Sequence, residues 1–164
     1  MRIIIAGGRD YNPDFEEFCN IVLRIIRKYK ELGYNTSRDS LEIISGTANG
    51  ADKMGEKFAE KYKIKLRLFP ADWNDVTTPP VFIKYNSFGS YNAMAGNVRN
   101  EKMAQYATEN DIAVLIAFAV NASPETKNMI SIAKRYGMKI FLYEFTNKSG
   151  ILTRKVSKKK KVSI

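Results

Sequence analysis

The chain has 164 residues, is 45% hydrophobic and carries 27 Lys and Arg against 17 Asp and Glu, a formal charge of +10, with one cysteine and no histidine. Length and apolar content suit one domain around a single core, and a lone Cys19 excludes both a disulfide framework and a thiolate metal site. Without histidine, any catalysis falls to carboxylates, hydroxyls, Lys or Arg.

Charge is unevenly placed. Residues 147–164 hold seven cations and no acid, which leaves 20 cations against 17 acids, or +3, in residues 1–146. The expected organisation is one domain over 1–146 and a basic, flexible tail over 147–164, either a solubilising end or a salt-dependent attachment to nucleic acid or an anionic surface. No stretch approaches the roughly 20 apolar residues of a membrane span, and no basic region leads into an apolar signal core. A soluble, cytoplasmic protein without membrane contact is expected.

In chain order, residues 1–6 form a short apolar run ended by Gly7-Gly8, the pattern of a buried strand. Asn12 as N-cap and Pro13 at the first helical position predict a helix with apolar residues at Phe15, Phe18, Cys19, Val22, Ile25, Ile26 and Tyr29, ended by Gly33. Residues 41–45 read as a second strand. The turn Gly46-Thr47-Ala48-Asn49-Gly50 then leads into a helical segment with Met54, Phe58, Ala59 and Tyr62 on one face. A third strand, 64–69, ends at Pro70. Residues 74–95 contain Pro79-Pro80, Gly89 and the aromatics Phe82, Tyr85, Phe88 and Tyr91 without a period, and read as a lid or a surface insertion.

From Ala95 the pattern is helical through Val98, Met103 and Ala107. Residues 112–117 are the most apolar strand and therefore central. Ser123-Pro124-Glu125 has the N-cap, N1 proline and acidic first turn of a helix start, with Thr126, Met129, Ile130 and Ala133 facing inward. Gly137 stops that helix, and residues 139–143 supply a fifth strand. The alternation predicts an α/β fold: a doubly wound, Rossmann-like parallel sheet of about five strands in the order 3-2-1-4-5. The turns after residues 6 and 117 then face each other at the switch point, and the turn after Ser45 borders the same crevice.

Those turns carry the candidate chemistry. Gly7 and Gly8 allow close approach to the backbone, Arg9 offers a planar fork for phosphate or carboxylate, and Asp10 can accept from a hydroxyl or orient Arg9. Ser45 and Gly46, with Gly50 and Asp52, form a second glycine-rich turn at a helix start. Asp52 is either a helix-dipole partner or a ribose ligand. Glu56 shares its face by i,i+4 spacing, so the two carboxylates read as an acid–base pair, an Mg²⁺ site or a solvated helix face.

Taken together, Gly7-Gly8-Arg9-Asp10, Ser45-Gly46 with Gly50-Ala51-Asp52 and Gly55-Glu56, Pro70-Ala71-Asp72-Trp73, and Ala95-Gly96 with Arg99-Asn100 and Met103 resemble the YspA/YpsA-related branch of the SLOG superfamily. That superfamily holds Rossmann-like proteins similar to the DNA-processing protein DprA and the Lonely Guy phosphoribohydrolases. The resemblance runs in order from residue 1 to about 143.

It implies a pocket above the sheet for a nucleotide or nucleotide derivative, with Arg9 and Arg99 on phosphate. Asp10 and Asp52 would hold ribose hydroxyls or orient the arginines, and Asn100 would point at the pocket. Trp73 would stack on the ligand or anchor its loop. Relatives have a Gly-Gly-x-Gly-Thr turn after the fourth strand, whereas this chain has Asn121-Ala122-Ser123-Pro124-Glu125-Thr126. Ser123 and Thr126 remain candidate ligand contacts there. Met129 stands where Lonely Guy enzymes place a catalytic glutamate, so that mechanism does not carry over.

The leading expectation is a non-catalytic or weakly catalytic sensor or sequestering domain. It needs no cofactor, although Mg²⁺ could accompany a phosphate ligand. The alternatives are a nucleotide hydrolase cleaving an N-glycosidic or phosphate bond through Asp52 or Glu56, and nucleic-acid binding through the tail. A homo-oligomer is compatible with each.

Overall fold

Within the first strand, β1 (Arg2–Gly7), successive side chains enter different cores. Ile3 and Ile5 join one apolar cluster, Ile4 and Ala6 the other. A strand covered on both faces must be apolar at every position, which is why this run does not alternate. The computed structural model describes residues 1–156.

Helices α1 (Phe15–Glu31) and α2 (Ala51–Tyr62) cover one face, placing Phe18, Val22 and Phe58 against Ile3, Ile43 and Ile116. Helices α3 (Ala95–Thr108) and α4 (Pro124–Arg135) cover the other, placing Met103, Ala104 and Met129 against Ile4, Ile44 and Leu115. Burying each large side chain of this kind contributes about 1.5–3 kcal/mol before the entropy of ordering it is subtracted.

The strands β2 (Glu42–Ser45), β3 (Lys65–Leu68), β6 (Ala113–Val120) and β7 (Lys139–Lys148) join β1 in parallel. With β8 (Ile151–Arg154), the sheet order is β3-β2-β1-β6-β7-β8. The doubly wound 3-2-1-4-5 core is therefore present, with β6 and β7 as its fourth and fifth strands. β1 pairs with β6 from Arg2↔Ala113 to Gly7↔Phe118, so the two strands end together at the switch point.

The structure differs from the sequence reading in four places. The first helix is capped by Asp14, whose Oδ2 accepts the Glu17 N–H at 3.1 Å, and Asn12-Pro13 stays outside it. A carboxylate two residues later satisfies the first-turn amides that Asn12 was expected to serve. The sheet has six strands, because residues 147–154 continue β7 and turn back as antiparallel β8. Ser149 and Gly150 both take positive φ, 52° and 82°, the backbone of a two-residue hairpin turn matched to strand twist.

Much of the expected tail is thus an edge hairpin. Its run Lys158 to Lys161 lies outside the described residues. Finally, residues 74–95 hold a separate two-stranded hairpin, β4 (Ile83–Asn86) and β5 (Gly89–Asn92). Among the described residues no helix is long and apolar enough to cross a membrane.

Candidate functional site

The carboxyl ends of β1 and β6 open onto a cavity of about 200 Å³. Gly7, Gly8, Arg9 and Asp10 line it from the first turn, and Asp52 from α2. Arg99 and Asn100 line it from α3, and Ser123 and Thr126 from α4. Ser45, Gly46, Gly50 and Glu56 do not line it, and Trp73 lies in an adjoining groove.

The glycines serve the seam between turns. A Cβ on Gly7 would overlap the Phe118 carbonyl, and one on Gly8 would sit 2.8 Å from Val120 Cβ. Gly50, at φ +80°, presses on the Gly8 and Arg9 backbone, where a Cβ would overlap the Gly8 carbonyl. The Gly8 N–H donates to the Phe118 carbonyl at 2.9 Å, and the Gly8 carbonyl accepts from Tyr11 N–H at 3.1 Å and Ala51 N–H at 3.4 Å. Close approach here is therefore between protein backbones. Tyr11 clamps the far end of the turn by stacking on Phe118 at 4.6 Å between ring centroids.

The helix starts are also occupied internally. Ser123 Oγ accepts from Thr126 N–H at 3.3 Å and lies 2.7 Å from Thr126 Oγ1, so both residues act as the α4 cap. Ser45 Oγ donates to Glu56 Oε1 at 2.8 Å and accepts the Thr47 N–H at 3.0 Å. Glu56 also pairs with Lys53 at 3.0 Å, so Ser45 and Lys53 engage its two carboxylate oxygens. Among the described residues no three His, Cys, Asp or Glu side chains cluster as metal ligands.

What remains open to a ligand is a set of charges. Arg9 is exposed and makes no side-chain hydrogen bond among the described residues. Arg99 donates Nη1 to the Gly46 carbonyl and Nε to Asn100 Oδ1 at 2.9 Å, and Asn100 passes the chain to Asn128 Oδ1 at 2.9 Å. Burial lowers the Arg99 pKa, the Asp52 carboxylate opposes that, and the Arg9 charge adds to it.

Asp52 is buried and accepts the Ala48 N–H at 3.2 Å. Burial raises its pKa to about 6 against the pull of Ala48 N–H and Arg99, and the Glu56 charge helps to raise it. A carboxyl that titrates near neutrality inside a cavity can hold a proton or release it.

The turn after β6 retains a glycine-like backbone without glycine. Asn121 and Ala122 take φ of 49° and 55°, the left-handed region that usually favours Gly. Periodicity alone did not show the floor of the cavity, although the family resemblance pointed to both of its methionines. Met103 and Met129 both line it and are buried, and nothing in their helical spacing separates a cavity floor from ordinary core. Glu125, whose charge the sequence places near where an anion would sit, lines the wall beside the α4 cap.

Comparison with protein-family models, with curated proteins and with solved structures finds no match for this chain.

Proposed function

We propose that this protein binds a nucleotide or nucleotide-derived ligand at the carboxyl edge of its sheet, as a sensor or sequestering domain. The observation that carries the reading is the convergence, at the switch point, of two arginines and a buried Asp52 over a floor of Met103 and Met129. Arg9 is the free phosphate contact, whereas Arg99 is oriented by Gly46 and Asn100 and presents its remaining donors. Asp52 accepts from a ligand hydroxyl. The resemblance to SLOG proteins supports the same assignment. A thioether at Met129 can neither activate water nor stabilise developing positive charge, which favours binding over hydrolysis. Any Mg²⁺ would arrive with the phosphates, since Asp52 and Glu56 face different partners.

Thermal-shift titration with nucleoside phosphates, ADP-ribose variants and cyclic nucleotides is the test. At least one should raise the melting temperature, and Arg9→Ala should weaken it about ten-fold or more through loss of a charge-assisted contact. A panel in which nothing shifts the transition would sink the reading. The titrating Asp52 favours one second reading, a nucleotide hydrolase using it as acid or base. Release of base or phosphate by the wild type, abolished in Asp52→Asn, would establish that alternative.

A further inference from the structure

A cavity of about 200 Å³ is smaller than the roughly 300–1,000 Å³ of typical small-molecule sites, so a nucleotide cannot lie wholly within it. It opens into an outer groove of about 790 Å³ that shares Arg9, Arg99, Asn100 and Glu125 with it. The two spaces are continuous through the pair of arginines.

One wall of the outer groove is the β4–β5 hairpin. Lys84 and Tyr91 are cross-strand partners, so their side chains share a face, and both line the groove. Trp73 lines it as well, with its indole across the first turn of α3. A Cβ on Gly96 would lie only 3.3 Å from Trp73 Cη2, so the small residue makes room for that ring.

The wall is anchored at its root. Buried Asn92 accepts the Phe82 and Met94 N–H groups at 3.1 and 2.9 Å and donates to the Pro80 carbonyl at 3.3 Å. Its own N–H donates to the Trp73 carbonyl at 2.8 Å, which ties indole and hairpin together. Residues 76–100 contain no Asp or Glu; the acids that face this groove and cavity come from elsewhere, Glu125 at the start of α4 and Asp52 opposite Arg99.

Resting on the nucleotide-binding reading above, we infer that Trp73 and the Lys84/Tyr91 face of the hairpin form a second subsite that takes the planar base of the ligand. Its phosphate then lies at Arg9 and Arg99, and its sugar reaches toward Asp52. Aromatic rings offer π-faces to any base, and Lys84, on the same face as Tyr91, borders the base rather than the phosphate.

The experiment compares AMP, ADP, ATP, NAD⁺ and ADP-ribose with ribose 5-phosphate on the full chain by calorimetry. Nucleotides should bind about ten-fold or more tightly than ribose 5-phosphate, because only they carry a base to stack. In Tyr91→Ser and Trp73→Leu the nucleotide affinity should fall to the ribose 5-phosphate level, with the sugar phosphate unaffected. Lys84→Ala, at an exposed position, should cost several-fold and keeps the test readable if an aromatic variant unfolds. Nucleotide binding that ignores all three substitutions, or equal weakening of both probe classes, overturns the subsite and leaves the binding reading standing. Failure of every nucleotide to bind the wild type overturns both.

Discussion

Each end of the parallel sheet buries a carboxylate, and the two are treated in opposite ways. At the amino end, Glu42 lies between Lys65 Nζ at 3.0 Å and Arg2 Nε at 3.5 Å, and the Arg2 guanidinium rests 3.8 Å above the Tyr106 ring. Burial alone would raise the Glu42 pKa, but the Tyr106 hydroxyl, Lys65 and Arg2 outweigh it and hold the group below its ordinary value. At the carboxyl end, Asp52 is 4% exposed and has no ion pair within 4 Å among the described residues. Its pKa is pushed the other way, to about 6. At the amino end two cations flank the carboxylate, although among the described residues its Oε1 accepts no hydrogen bond. At the carboxyl end Asp52 has the Ala48 N–H and the Arg99 charge but, among the described residues, no ion pair within 4 Å.

The comparison can be broken most severely at the backbone seam. Gly50 sits at φ +80°, ψ −123°, with the Gly8 carbonyl in the place of a Cβ. Gly50→Ala is expected to destabilise by at least ~3 kcal/mol, about 6–12 °C in melting temperature. Gly137→Ala is the control. It shares a positive φ, +71°, but has open space around it, and should lose only about 1 kcal/mol. Equal losses would mean that conformation, not the seam, sets the cost.

Next comes Glu42→Gln, expected to cost about 1–2 kcal/mol at pH 7 by removing the buried partner of Arg2 and Lys65, a loss softened because Lys65 is exposed and Arg2 keeps the Tyr106 carbonyl and Glu109. Because the folded Glu42 pKa is depressed, its contribution is present above the unfolded pKa and lost as pH falls through the folded one. Urea unfolding across acid pH should show that loss in the wild type and not in the variant.

Asp52→Asn should have the opposite sign. A raised folded pKa means a favourable contribution below about pH 4 that is lost as pH rises through about 6, so ionised Asp52 costs about 3 kcal/mol at pH 7. The amide can still accept from Ala48 N–H. Stabilisation of about 2 kcal/mol at pH 7, vanishing toward pH 4, is expected from urea midpoints. A destabilised variant at pH 7 would show that Asp52 is compensated as Glu42 is.

The smallest effect concerns Thr47, a β-branched residue at φ +66° beside Asp52. Thr47→Gly should gain about 0.5 kcal/mol, the relief of left-handed strain less the added freedom of the unfolded chain. Unchanged or lower stability would place the strain elsewhere in the turn.

The candidate site was partly legible before the fold was known. Arg9, Asp10, Asp52, Arg99 and Asn100 stand next to turns or helix starts that the 3-2-1-4-5 order brings together, and the structure does gather them. Helical spacing puts Glu56 on Asp52's face, but only the structure shows that Ser45 and Lys53 engage its two oxygens. By spacing alone Met103 and Met129 were indistinguishable from core because helical periodicity reports burial, and a cavity floor is buried too.

By itself the sequence determined the layered α/β class, the order of the parallel strands and the turns at their carboxyl ends. Those follow from short-range pattern: unbroken apolar runs, helical stripes, and glycine or Ser-Pro at the breaks. Only the tertiary structure decided that Gly7, Gly8 and Gly50 join protein to protein, that the basic segment supplies an edge strand, and that the Asp52 pKa is pushed up while that of Glu42 is held down. Each of these depends on what lies across a seam from residues far away in the chain, and such distances set steric room, pairing and desolvation alike.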